Sequence, residues 1–169
     1  MDITISNEIS AISSLVTALV ACIALVISII EYKNHLKREK AHTLSSFNER
    51  YANDKNIGCV TRPLTEYLDD RKNEEEIENA SRQFQDLGLY DIEMFMKFFE
   101  EVEHSIIAGA LNQEEIRYML SYYALAAAET KRFKDEINND DWRVFRNFIV
   151  RMKRIKPLDK ETISKLNNL

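Results

Sequence analysis

Glu101 and His104 stand three residues apart, the spacing at which a carboxylate and an imidazole share one helix face and can ligate a metal ion. Dinuclear helical sites need two such pairs plus carboxylates from facing helices. The other histidines, His35 and His42, lie in a different segment far upstream. A single pair therefore predicts no metal centre, and His104 reads as a residue of a surface or helix edge. Nucleophilic chemistry fares no better. Cys59, near Thr61 and Arg62, has no neighbouring base or oxyanion donor that spacing can supply. Gly58, Gly88 and Gly109 are isolated, so no glycine-rich loop cradles a phosphate. Cys22 lies in an apolar run and Cys59 beyond it, so neither a disulfide nor a thiolate metal site is expected. The run Glu74-Glu75-Glu76-Ile77-Glu78 is acidic enough for a cation, but carboxylates also belong in the first turn of a helix, where they meet its positive dipole end. The expectation is a protein with no enzymatic activity, no cofactor, no metal and no small-molecule substrate.

Charge separates the chain into regions. The net charge is −5, yet residues 41–141 hold 22 acidic and 11 basic side chains. Trp142–Lys156 then carries six basic residues and no acid: Arg143, Arg146, Arg151, Lys153, Arg154 and Lys156. An acidic body with one basic helix is not a nucleic-acid binder. Trp142, Phe145, Phe148, Ile149, Met152 and Ile155 form an apolar stripe on that helix, which first of all suits a core. Its basic side chains remain candidates for contact with anionic lipid or a partner.

These residues must be carried by helices. Three glycines and two prolines in 169 residues are too few for strand-and-turn architectures. Mean hydropathy is −0.36, an average over a greasy start and a charged remainder. From Ile9 to Ile30 no residue is charged, and about 20 helical residues cross a hydrocarbon core of roughly 30 Å. A transmembrane helix over residues 9–30 follows, with residues 1–8 as a short extracytoplasmic N-terminus. A cleaved signal peptide would need a basic leader, whereas Asp2 and Glu8 precede the run. Leu19-Val20-Ala21-Cys22 resembles a lipoprotein cleavage motif, but the apolar run continues past Cys22 and the basic leader is again missing. Lys33, Lys37, Arg38 and Lys40 crowd the C-terminal flank, so the positive-inside rule sets the N-terminus outside and the C-terminal domain in the cytoplasm. Those four cations are also candidates for anionic-lipid or partner contact. Ser10, Ser14, Ala18 and Cys22 recur every fourth residue, a small-residue face that lets two membrane helices approach closely.

Beyond the span, residues 31–52 read as a juxtamembrane helical stalk with a sparse apolar stripe at Leu36, Leu44 and Phe47. Residues 53–169 read as a helical domain. A short helix fits Thr61–Leu68, with Pro63 in its first turn. Another starts at the cap Asn73 and stops at Gly88. Asp91 caps a third, with Ile92, Phe95, Met96, Phe99, Val102 and Ile106 on one face and Gly109 at its end. Asn112 caps a fourth running to Phe133, with Glu115 completing a capping box. The short link between the last two predicts an antiparallel hairpin. Tyr118 and Tyr122 pair on a different face from Tyr123, which suits packing against the stalk or a neighbouring helix more than an interaction patch. A further helix starts near Asn139–Asp141 and stops at Pro157, and Asp159 caps a short terminal one. The fold class is all-α: a transmembrane helix, a stalk, and a small bundle around the hairpin.

Phe98-Phe99-Glu100-Glu101, Ile106-Ile107-Ala108-Gly109-Ala110-Leu111 and Glu114–Tyr123, with the N-terminal anchor, resemble a family of uncharacterised bacterial single-pass membrane proteins with a cytoplasmic helical domain. That pattern has a tryptophan after the double tyrosine, where this chain has Ala124-Leu125-Ala126. The resemblance implies a bacterial inner-membrane protein and brings no catalytic residue with it. The function expected is a non-enzymatic, membrane-anchored module that acts through a protein partner or as a homo-oligomer in the lipid bilayer. The alternative is a membrane-disrupting effector or toxin of a bacterial antiphage defence system.

Overall fold

A computed structural model describes residues 2–169, with side chains described for residues 13–116 and 120–169. Among these residues the chain is helical throughout, without strands. Its helices are α1 (Asp2–Asn53), α2 (Lys55–Leu68), α3 (Glu74–Gln85), α4 (Leu89–Ile107), α5 (Gln113–Met119), α6 (Ser121–Glu129), α7 (Lys131–Ile137), α8 (Arg143–Ile155) and α9 (Lys160–Leu166), with a 3₁₀ turn at Asp140–Trp142 before α8.

The chain divides into two units, Met1–His42 and Thr43–Leu169. In the first, α1 carries an 18-residue window of mean hydropathy 2.6 with none of it buried, long and apolar enough to cross a membrane. Two of its hydroxyls bond back to the helix: Thr17 donates to the Ser13 carbonyl and Ser28 to the Ala24 carbonyl, both at 2.9 Å. Such back-bonding lowers the cost of carrying a hydroxyl into an apolar environment.

The second unit begins about ten residues earlier than the sequence suggested. Residues 43–52 were expected in the stalk, but Leu44, Phe47 and Tyr51 pack against the buried core of the bundle. The stripe that looked sparse in isolation meets Phe98 and Phe99 of α4, with ring centroids 5.7 Å apart for Phe47–Phe98 and 6.4 Å for Tyr51–Phe99.

Phe99 is the hub of that core. Its ring lies 5.0 Å from Phe95, 5.1 Å from Phe98 and 5.2 Å from Phe148 of α8, at offset or edge angles that suit aromatic quadrupoles. α4 packs chiefly on α2 and α8, and Phe133 of α7 reaches Phe95 at 5.5 Å. α6 buries Ala124, Ala126, Ala127 and Ala128, and these small side chains admit α2, α8 and α9 close around it.

Several helix ends follow their residues. Asn73 and Glu76 form a reciprocal capping box on α3, and Asp159 accepts from the Thr162 amide to start α9. Others differ. α2 starts at the cap Asp54, so Pro63 lies well inside it rather than in its first turn. Gly88 has φ −66° and serves as the N-cap of α4, so Asp91 falls in that helix's first turn instead of capping it. Asn112 caps α5 through the Glu114 amide. The single helix expected from Asn112 to Phe133 is three helices, α5, α6 and α7. Thr130 makes the second break: fully buried, its hydroxyl bonds the Ala127 carbonyl at 2.7 Å and accepts from the Phe133 amide, and its backbone is extended. A hydroxyl that bonds the backbone locally competes with helix continuation. The expected hairpin is thereby replaced, as the main partnership of α4, by packing on α2 and α8.

Candidate functional site

The acidic residues of α4 bind the bundle together. Glu100 accepts from the Phe145 amide at 3.1 Å, supplying α8 with the N-terminal acceptor that Trp142 at its cap lacks. Glu101 is held in a two-pronged pair by Arg50. Glu103, whose side chain is 1% exposed, accepts three hydrogen bonds from the Arg151 guanidinium at 2.9–3.1 Å. A carboxylate this deep is tolerable because the planar guanidinium satisfies it bidentately.

Glu101 is thus engaged with a cation, and His104 is exposed, so the pair singled out for metal chemistry does not converge on a shared point. Among the described residues no cluster of three His, Cys, Asp or Glu side chains could hold a metal ion. Cys22 and Cys59 are both free and exposed. Cys59 lines an open groove of about 510 Å³ with Gly58, Arg62, Pro63 and Asp86. No base is hydrogen-bonded to its sulfur among the described residues.

The basic residues of α8 have different fates. Arg146 donates to the Ile137 and Asn139 carbonyls at 2.9 and 3.1 Å, closing the turn that precedes α8. Arg151 is taken by Glu103, and Lys153 pairs with Glu129, which Lys134 also approaches at 3.5 Å. Arg143 and Arg154 are exposed and make no ion pair or hydrogen bond among the described residues. Sequence spacing could not sort these five, because the acceptors of Arg151 and Lys153 lie 48 and 24 residues away.

On α1, Ser14, Ala18 and Cys22 are exposed along one side, while the Ser10 side chain lies outside the described set. Lys33, Lys37, Arg38 and Lys40 are exposed. Tyr118 also lies outside the described side chains. Tyr122 is exposed, at 42%, and the covered part of its side chain raises its phenol above the ordinary value. Its ring stands edge-on to Tyr123 at 5.3 Å, and Tyr123 packs on the core with its hydroxyl 3.0 Å from that of Thr65.

These features define an all-helical protein in which one helix near the N-terminus is long and apolar enough to span a membrane. No family model, curated protein or solved structure matches the chain.

Proposed function

We propose that this chain is a single-pass membrane-anchored module that acts without catalysis, through protein contact or self-association in the bilayer. One observation carries the reading: the apolar window of α1 has mean hydropathy 2.6 and no part of it is buried. In water that surface would have to find a cover, and a bilayer provides one along its whole length. The cationic flank Lys33–Lys40 supports a topology with the N-terminus outside and the bundle in the cytoplasm, at a bacterial inner membrane. The small-residue side at Ser14, Ala18 and Cys22 supports close helix approach between copies. Glu101 and Glu103 are each taken up by an arginine of the bundle, which favours a binding module over an active site.

The test is energy transfer between full-length copies labelled at Cys59 in lipid vesicles. Transfer should rise with the protein-to-lipid ratio and fall several-fold in the Ser14→Leu/Ala18→Leu variant. Transfer no higher than random proximity gives at every ratio would refute self-association. The same stripe favours a second reading, a membrane-disrupting effector of a bacterial defence system. Vesicles loaded with a self-quenched dye separate the two: they stay intact for an anchored module and leak for an effector.

A further inference from the structure

Once the internal pairs of the bundle are assigned, α8 has two arginines to spare. Arg143 and Arg154 are exposed, and Asn147 and Val150 lie between them at helical spacing, so all four share one stripe. Val150 is 49% exposed, and beside it Ile107 at the end of α4 is 64% exposed. Ile107, Asn147, Val150 and Arg154 line one open groove of about 500 Å³. Two bare aliphatic side chains flanked by unpaired guanidinium groups make an amphipathic surface that nothing within the unit covers.

We propose that this stripe is a second membrane contact, in which Ile107 and Val150 enter the headgroup region of an anionic leaflet and Arg143 and Arg154 pair with lipid phosphates. Charge selects both the face and the occupant. Residues 41–141 carry 22 acids against 11 bases, so an anionic leaflet repels most of the domain. Trp142–Lys156 carries six bases and no acid, and of these Arg146, Arg151 and Lys153 are already paired. The apolar pair between the arginines suits a headgroup boundary, where aliphatic groups go inward and guanidinium groups stay at phosphate level. A second copy is disfavoured, because a two-fold contact through the stripe would set arginines against arginines. The contact rests on the reading of α1 as an anchor. With α1 inserted, only residues 31–42 separate the apolar run from the second unit, which keeps the leaflet at high effective concentration.

Spin labels on the full chain in lipid nanodiscs test the contact. One version keeps native Cys22 as the only cysteine, and another has Asn147→Cys as the only one. Collision with oxygen reports lipid and collision with a water-soluble nickel chelate reports water. The Cys22 label should be shielded from nickel in discs of phosphatidylcholine and in discs with about a third phosphatidylglycerol. The Asn147→Cys label should lose nickel collisions several-fold only in the anionic discs. That shielding should disappear at about 0.5 M salt and in the Arg143→Glu/Arg154→Glu variant, since each cation near an anionic surface is worth on the order of fivefold in binding. If the Asn147→Cys label stays equally wet in both discs while Cys22 is shielded, the second contact is refuted and the anchor stands. If Cys22 is wet too, both readings fall. Equal shielding in zwitterionic discs would remove the charge selection, and shielding only with two copies per disc would assign the stripe to a contact between copies; either result overturns the proposal.

Discussion

Removing the guanidinium of Arg151 strands a carboxylate inside the bundle. Glu103 has a side chain 1% exposed, and its three hydrogen bonds all come from Arg151, which is itself 37% exposed. Arg151→Met keeps much of the aliphatic stem but leaves the charge of Glu103 without compensation. Breaking a buried pair on one side costs about 3–5 kcal/mol. A domain of this size has a total stability of about 5–15 kcal/mol, so the variant loses a large share of it. Replacing both members is different: Glu103→Leu/Arg151→Met removes the stranded charge and should return to within about 1 kcal/mol of the parent, or exceed it. The assay is urea unfolding of the full chain in mild detergent. It is followed by fluorescence of Trp142, the single tryptophan, which packs on the core from its edge. If Arg151→Met loses less than about 1 kcal/mol, or the double variant is no more stable than the single one, Glu103 is not held by this pair in the way described.

Truncating the aromatic hub, Phe99→Ala, should cost about 3–5 kcal/mol in the same unfolding assay, because five aromatic rings lose their contact with it. Two glycines should respond with opposite signs. Gly109→Ala, at φ +73°, should destabilise by about 1 kcal/mol although a Cβ meets no atom there, whereas Gly58→Ala inside α2 should stabilise by about 0.5–1 kcal/mol. Acid should loosen the start of α9. The Thr162 amide and hydroxyl bonded to Asp159 hold its carboxyl below the ordinary 3.8, so the stability they confer is full above that value and is lost as pH falls below it. Asp69, held at about 2 by the Arg71 guanidinium, loses its bonds over the same interval. Amide-exchange protection at Thr162 and Ile163 should therefore drop between about pH 4 and pH 2, and protection that stays constant would contradict the cap assignment.

What was legible in the sequence was local. The uncharged run Ile9–Ile30, the caps at Asn73, Asn112 and Asp159, and the apolar faces of α4 and α8 all depend on residues within a few positions of one another. What was not legible depends on partners far along the chain. Leu44 and Phe47 were visible as a stripe, but only Phe98, some fifty residues later, makes them part of a core. Thr130 interrupts a helical pattern through a hydroxyl bond that periodicity does not register. Nothing local to Glu100, Glu101 and Glu103 shows what each of them binds. They cap α8, bind Arg50 and bind Arg151, all through partners more than forty residues away. Five basic residues of α8 looked alike for the same reason, and only Arg143 and Arg154 remain without a partner among the described residues.

The chain carries its own probes for the central claim, that the apolar run of α1 spans a bilayer. Cys22 lies within that run and Cys59 lies exposed on α2 of the bundle. A maleimide reacts with a thiolate in water and scarcely at all with a thiol held in hydrocarbon. With the full chain in bacterial membranes, a membrane-impermeant maleimide should label neither cysteine in intact cells. Once the inner membrane is opened it should label Cys59 alone, and it should reach Cys22 only after detergent dissolves the bilayer. Labelling of Cys22 in undissolved membranes at the rate of Cys59 would contradict the span.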